Sequence, residues 1–197
     1  MNLLTWTGII LGGSALLYQA LALLALFIWK RRQPRLSSTL PPVSILKPLC
    51  GMEPRLYDNL RSFCQQDYPR FEIIFGVQSA DDAALAVAHR LQSEFHHMDA
   101  HIVIQQASDC INRKIGNLVH MQQYASFDHL VISDSSTVVE PDYLQYLAAD
   151  LNNEHTGAVT CLYRACPQDS FFSRLAALYM NVSFTPLDYD RLNAGHA

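Results

Sequence analysis

Charge is scarce in this chain. Asp, Glu, Lys and Arg together make up 16% of its 197 residues, against 50% hydrophobic residues, and the net charge is −4. Apart from a short cluster at Lys30, Arg31, Arg32 and Arg35 there is no basic block, so the electrostatic footprint of a nucleic-acid binder is missing. No Gly-rich phosphate loop of the GxGxxG or GxxxxGK[ST] type follows any strand-like run, which argues against a dinucleotide or P-loop site. The five cysteines form no CxxC pair, and their odd number and scatter favour thiols over bridges or zinc. The eight histidines have no metal-ligand spacing: His96 and His97 are adjacent and the others dispersed. No internal repeat or low-complexity stretch is evident.

One absence is itself a signal. From Leu3 to Trp29 no residue is charged, a run long enough to cross a hydrocarbon core of about 30 Å as a helix. It exceeds the apolar core of a signal peptide and has no positive region ahead of it. The expectation is a retained membrane anchor over residues 1–30, with a cleaved signal peptide as the alternative; Trp6 and Trp29 stand near its two ends, at headgroup level. Basic residues follow the run at once and none precede it. The positive-inside rule therefore places the N-terminus outside and the rest of the chain in the cytoplasm. Short loops and a His-rich surface have a bacterial look, and a bacterial inner membrane is the expected location. Gly8 and Gly12 have small-xxx-small spacing that suits a partner helix.

Residues 31–42 read as a basic, Pro- and Ser-containing linker. Beyond it, residues 43–197 read as one domain in which strands and helices alternate. Strands are expected at Val43–Leu46, Phe71–Val77, Ala100–Ile104, Leu130–Ile132 and Gly157–Leu162. Helices are expected from Pro54 to Gln65, after Asp82 to about Phe95, from Lys114 to Tyr124, from Pro141 to Leu151, and from Phe171 to about Val182. The alternation argues for an α/β fold with a mostly parallel sheet and right-handed crossovers.

The chain is organised around Phe127–Leu144, where the apolar run Leu130-Val131-Ile132 ends in Ser133-Asp134-Ser135-Ser136. A buried parallel strand reads as such a run, and a charge at its end lies at the carboxyl edge of the sheet, where ligands bind in open α/β folds. Asp81-Asp82 follows the Phe71–Val77 strand in the same way. One carboxylate there could accept from a base or ribose, and another could hold a divalent cation on a diphosphate. The plainer readings are a turn residue for Asp134 and a helix-start acceptor for Asp82. Arg113 and Lys114 lie near a helix start, which disfavours cations, so they point to an anionic partner; a solvated surface lysine is the ordinary alternative.

Several stretches, taken in order, resemble the ceramide glucosyltransferase family, glycosyltransferase family 21, which includes a bacterial branch working on hopanoid lipids. They are Val43-Ser44-Ile45-Leu46-Lys47-Pro48-Leu49-Cys50-Gly51, Gln66-Asp67-Tyr68-Pro69, Gln78 with Asp81-Asp82, Asn112-x-Lys114-x-x-Asn117-Leu118, and Ser133-Asp134-Ser135 followed by Pro141-Asp142-Tyr143-Leu144. The resemblance covers roughly residues 43–165 and implies a GT-A fold, a UDP-sugar donor and a membrane lipid hydroxyl as acceptor. It implies that Asp82 lies near the uridine, that Lys114 and Asn117 lie beside the nucleotide, and that Asp134 lies at the diphosphate and its metal, Mg²⁺ or Mn²⁺.

Two departures accompany it. Many GT-A enzymes carry Asp-x-Asp at the metal, whereas here Ser136 stands where a second Asp could be. The family's third acid, its general base, and its Gln/Arg-x-x-Arg-Trp motif have no match, since Trp6 and Trp29 are the two tryptophans and Asp188 and Asp190 come too early. The chain is expected to be the N-terminal part of such an enzyme, with the C-terminal part of the fold missing. The expected function is inverting transfer of a hexose or N-acetylhexosamine to a ceramide- or hopanoid-type lipid. The alternative is a catalytically inactive, membrane-tethered α/β protein that keeps the fold for binding.

Overall fold

A computed structural model of the chain describes residues 2–30, 37–105, 110–161, 163–167 and 170–181. Arg31, Arg32, Arg35, Leu162, Val182, Asp188 and Asp190 lie outside the described residues, as does the side chain of Trp29. Two compact units emerge: Arg35–Gly157, and Met1–Pro34 together with Ala158–Ala197.

The first unit carries a four-stranded parallel sheet of β1 (Val43–Pro48), β2 (Phe71–Val77), β3 (Asp99–Ile104) and β4 (His129–Ile132), in the order β3-β2-β1-β4. Helices α2 (Leu56–Cys64), α3 (Ala84–Glu94), α4 (Arg113–Gln122) and α5 (Tyr143–Leu151) connect and flank it, and α1 (Leu3–Lys30) belongs to the other unit. The order explains where the helices go. Each right-handed crossover from β1 to β2 to β3 steps in one direction and leaves α2 and α3 together on one face. The step from β3 back to β4 runs the other way, so α4 packs on the opposite face, against β1 and β2.

Strand alternation divides the buried side chains accordingly. Leu46, Ile74 and Val103 pack with Met121 of α4, joined at the margin by Leu118, Ala125 and Leu130. Lys47, next to Leu46, faces the other way onto the ring of Phe63 in α2. Gly76 has no side chain because α4 lies too close: a Cβ there would sit 2.3 Å from Met121 Sδ and 2.8 Å from Asn117 Oδ1.

Polar staples hold the periphery. Gln66 donates to the carbonyls of Ser62 (3.0 Å) and Glu140 (2.9 Å) and accepts from Leu144 N (3.2 Å), tying α2 to the start of α5. Tyr68 donates to Pro41 O at 2.6 Å, and burial pushes its phenol up to about 12. At the amino edge of the sheet the fully buried Glu72 accepts from Ser44 Oγ and from Ser126 N and Oγ. His101 Nε2 lies 3.5 Å from Glu72 and 2.9 Å from Asp99. These three residues gather ligand-type atoms within 4.8 Å, yet both Glu72 oxygens already accept hydrogen bonds. The group works as a staple joining β1, β2, β3 and the turn before β4.

The expected strands over Val43–Leu46, Phe71–Val77, Ala100–Ile104 and Leu130–Ile132 are present with minor changes at their ends. The expected strand from Gly157 is not. Residues 157–161 are not part of a strand and are exposed except for the half-buried Val159. A β-prone run becomes a strand only against a partner.

In the second unit, α1 (Leu3–Lys30) is a single helix of 28 residues, about 42 Å long at 1.5 Å per residue. Its segment Thr5–Ala25 is long and apolar enough to cross a membrane and only 6% buried within the protein. Residues 171–181 are helical, and Asn181 brackets the backbone of Ala165, accepting from its N–H at 2.8 Å and donating to its carbonyl at 3.1 Å.

Candidate functional site

The strand order creates one opening at the carboxyl edge of the sheet. Strands β1 and β4 are neighbours, and the crossovers attached to them run on opposite faces of the sheet, α2 after β1 and α4 before β4. Such a switch point is the usual position of a ligand crevice in open α/β sheets. A cleft of about 350 Å³ lies there. It is lined by Pro48, Leu49, Cys50 and Glu53 after β1, by Gln78 after β2, by Arg113, Lys114 and Asn117 at the start of α4, and by Asp134, Ser135 and Ser136 after β4.

Of the residues expected at the site, Lys114, Asn117 and Asp134 come together in this cleft. Asn112 caps α4 by accepting from Lys114 N (3.1 Å) and Ile115 N (3.3 Å), which fixes where Lys114 leaves the helix. Lys114 Nζ pairs with Asp134 Oδ1; the two side chains are 53% and 57% exposed, so both remain open to the cleft. Asn117 is buried and donates to the carbonyl of Gly76 at 2.9 Å. That carbonyl also accepts from Leu49 N at 2.8 Å. Asn117 thus seats α4 on β2 and on the loop after β1, while its Oδ1 has no hydrogen-bond partner among the described residues.

Asp82 stands back from these residues. Its carboxylate accepts from Gly51 N at 2.9 and 3.1 Å and from Ala84 N at 2.9 Å. Gly51 has a left-handed backbone, φ 67°, which favours glycine. Asp82 therefore holds the turn that carries Cys50 and Glu53 into the cleft and also starts α3.

Three contributions escaped the sequence. Glu53 lines the cleft and accepts from Ser135 Oγ at 2.9 Å. Gln78 donates to the carbonyl of Arg113, joining the end of β2 to the start of α4. Lys47 is fully buried, with Nζ 3.7 Å from the centroid of Phe63. It donates to the carbonyl of Asp134 at 2.6 Å and to Ser133 Oγ at 3.3 Å. Burial pushes its amine down to about 7, against the opposing pull of Asp134, Glu53 and Cys64. The signal was present: Lys47 shares period two with the buried Val43 and Ile45, an inward position for a cation.

The family model for glycosyl transferase family 21 matches residues 7–193. The chain belongs to that family. It is 28% identical over 150 residues to ceramide glucosyltransferase 1 of Caenorhabditis elegans, covering 76% of this chain and 32% of that protein. To the ceramide glucosyltransferase of Komagataella phaffii it is 32% identical over 120 residues, covering 57% and 24%. The chain thus matches about a third or less of the length of these relatives. Among solved structures, a mannosyltransferase of Pyrobaculum calidifontis in complex with GDP-Man and Mn²⁺ superposes with a TM-score of 0.61 at 20% identity, covering 80% of this chain and 46% of that one. That likeness supports the GT-A-like fold for this family member.

Proposed function

We propose that the chain is the donor-binding part of a membrane-anchored, inverting glycosyltransferase. It takes a hexose or N-acetylhexosamine from a UDP-sugar and passes it to a lipid hydroxyl of ceramide or hopanoid type. The observation that carries this reading is the convergence of Lys114 and Asp134 in a cleft at the switch point of the sheet. Family membership, the ceramide glucosyltransferases among its relatives and the GDP-Man-binding structural neighbour support it.

In single displacement the acceptor hydroxyl oxygen bonds to the anomeric carbon and passes its proton to a general base outside the residues assigned here, as the bond to the diphosphate breaks and the leaving nucleotide takes the electron pair. Negative charge grows on the diphosphate, and a cation preorganised beside it lowers that barrier. Arg113 and Lys114 are the cationic side chains that line the cleft, and Lys114 is held beside Asp134 by a capped helix start. The donor set also fits a divalent cation: hard ions of this class are bound by one or two carboxylates together with substrate phosphates, and Asp134 is open to the cleft. Such an ion, when bound, adds further neutralisation at the leaving group. The apolar α1 would hold the domain at the cytoplasmic surface, within reach of a lipid acceptor.

Calorimetric titration of the full chain in detergent with UDP, with and without Mn²⁺, tests the reading. Binding should strengthen with Mn²⁺, and Asp134→Ala should weaken the metal-dependent binding about 10–100-fold, the scale of one lost charge-assisted contact. A folded chain that binds no UDP under either condition would overturn it. Binding that ignores both metal and Asp134→Ala would favour the non-catalytic tethered binding protein.

A further inference from the structure

Lys47 is a lysine that the fold itself does not require. Its side chain is fully buried between β1 and α2, where an ammonium gives up hydration that few groups replace. A methionine of similar volume would fill the space over Phe63, and apolar replacement of buried charges is often neutral or stabilising. What the amine does reach is the turn after β4. It donates to the main-chain carbonyl of Asp134 (2.6 Å) and to Ser133 Oγ (3.3 Å), with the Phe63 ring on a third side. The carboxylate of that same Asp134 meets Lys114 in the cleft, and the next residue, Ser135, donates to Glu53. One buried cation therefore grips from behind the short segment whose side chains form one wall of the cleft.

We propose that Lys47 is a positioning residue of the donor site, fixing the Ser133–Ser135 turn so that the Asp134 carboxylate is presented to a nucleoside diphosphate and its divalent cation. The proposal rests on the donor-site reading above. Lys47 touches no ligand; it acts through Asp134. The turn keeps other bonds without it, Ser133 N to Leu46 O (3.2 Å) and Thr137 N to Asp134 O (3.2 Å), so removing the amine should loosen the turn without dismantling it.

The experiment is a double-variant cycle on the full chain in detergent, with Mn²⁺ and UDP as probes. Wild type, Lys47→Met, Asp134→Ala and the double variant are each titrated with UDP in the presence and absence of Mn²⁺, and unfolding midpoints are recorded. Lys47→Met is expected to keep or raise the midpoint and leave metal-free UDP binding within twofold. It should cost at least tenfold in the Mn²⁺-dependent binding and add nothing to Asp134→Ala, because coupled residues are not additive. Should the Met variant fail to fold, Ser133→Ala removes one of the amine's two oxygen acceptors and should lower Mn²⁺-dependent binding severalfold, again only when Asp134 is present. Wild-type-like binding in these variants, or losses that add to Asp134→Ala, would overturn the positioning role while leaving the donor site standing. Failure of the folded wild type to bind UDP would overturn the donor-site reading and this inference with it.

Discussion

The amine of Lys47 ties local chemistry to global stability. In the unfolded chain it titrates near 10.5, and burial lowers it to about 7 in the fold. Below pH 7 both states carry the proton and folding bears the full penalty of burying a cation. Between pH 7 and 10.5 the unfolded chain holds a proton that the folded chain has released. Raising the pH through this window therefore favours the folded state, by at most about 1.4 kcal/mol per pH unit. Urea midpoints of wild type and Lys47→Met compared from pH 6 to 9 should show the variant's advantage constant below 7 and shrinking above it. An advantage that does not change with pH would refute the shift. The residue also shows why single positions are hard to read from sequence. Lys47 beside Pro48 reads as the end of a strand, although both belong to β1. Asp134 and Lys114 were expected at the sheet edge because each stands where a strand ends or a helix begins, and the structure brings the two together. Asp82 has the same signature, and its carboxylate also accepts from Gly51 N and Ala84 N, a structural task that the sequence alone does not reveal.

Among the elements, α4 matters most, since it carries Lys114 and Asn117 and rests on bare backbone at Gly76. Met121 and Asn117 fill the space a side chain would need, and both are buried. Gly76→Ala should thus act as overpacking, costing about 1–3 kcal/mol and lifting the start of α4 away from the cleft. Chemical denaturation should show the loss, and UDP binding should weaken with it. Adding Met121→Ala, which frees the nearest atoms, should recover part of the stability; if the pair is as unstable as the sum of the two single changes, close packing at Gly76 is not the cause. The strands of this sheet were visible in sequence as apolar runs bounded by turn residues, and the helices as runs with 3.6-residue spacing. Their spatial order was not, because parallel strands buried on both faces look alike and nothing local says that β4 lies beside β1. The run from Gly157 misled for the same reason: its β-propensity is real, but pairing is a property of neighbours.

At the scale of the molecule, the distribution of function between the two units decides what can be separated. The membrane-compatible character of α1 was plain from a run without charge, and its segment Thr5–Ala25 is almost wholly unburied within the protein. Every residue lining the cleft belongs to the unit Arg35–Gly157. That unit has its own sheet and buried residues on both faces, and a chain of about 120 residues is long enough for an independent core. A protein comprising residues 37–157 alone should therefore be soluble without detergent and unfold in one cooperative transition. It should bind UDP with Mn²⁺ within about threefold of the full chain, since a shift of under 1 kcal/mol is what an unchanged site permits. The full chain, by contrast, should stay with membranes after carbonate washing because of α1. Should the short protein fold but lose Mn²⁺-dependent UDP binding, residues outside the sheet unit must complete the donor site. Because the cleft walls come from turns anchored on β1, β2 and β4 and on α4, all within that unit, retention of binding is the expected result.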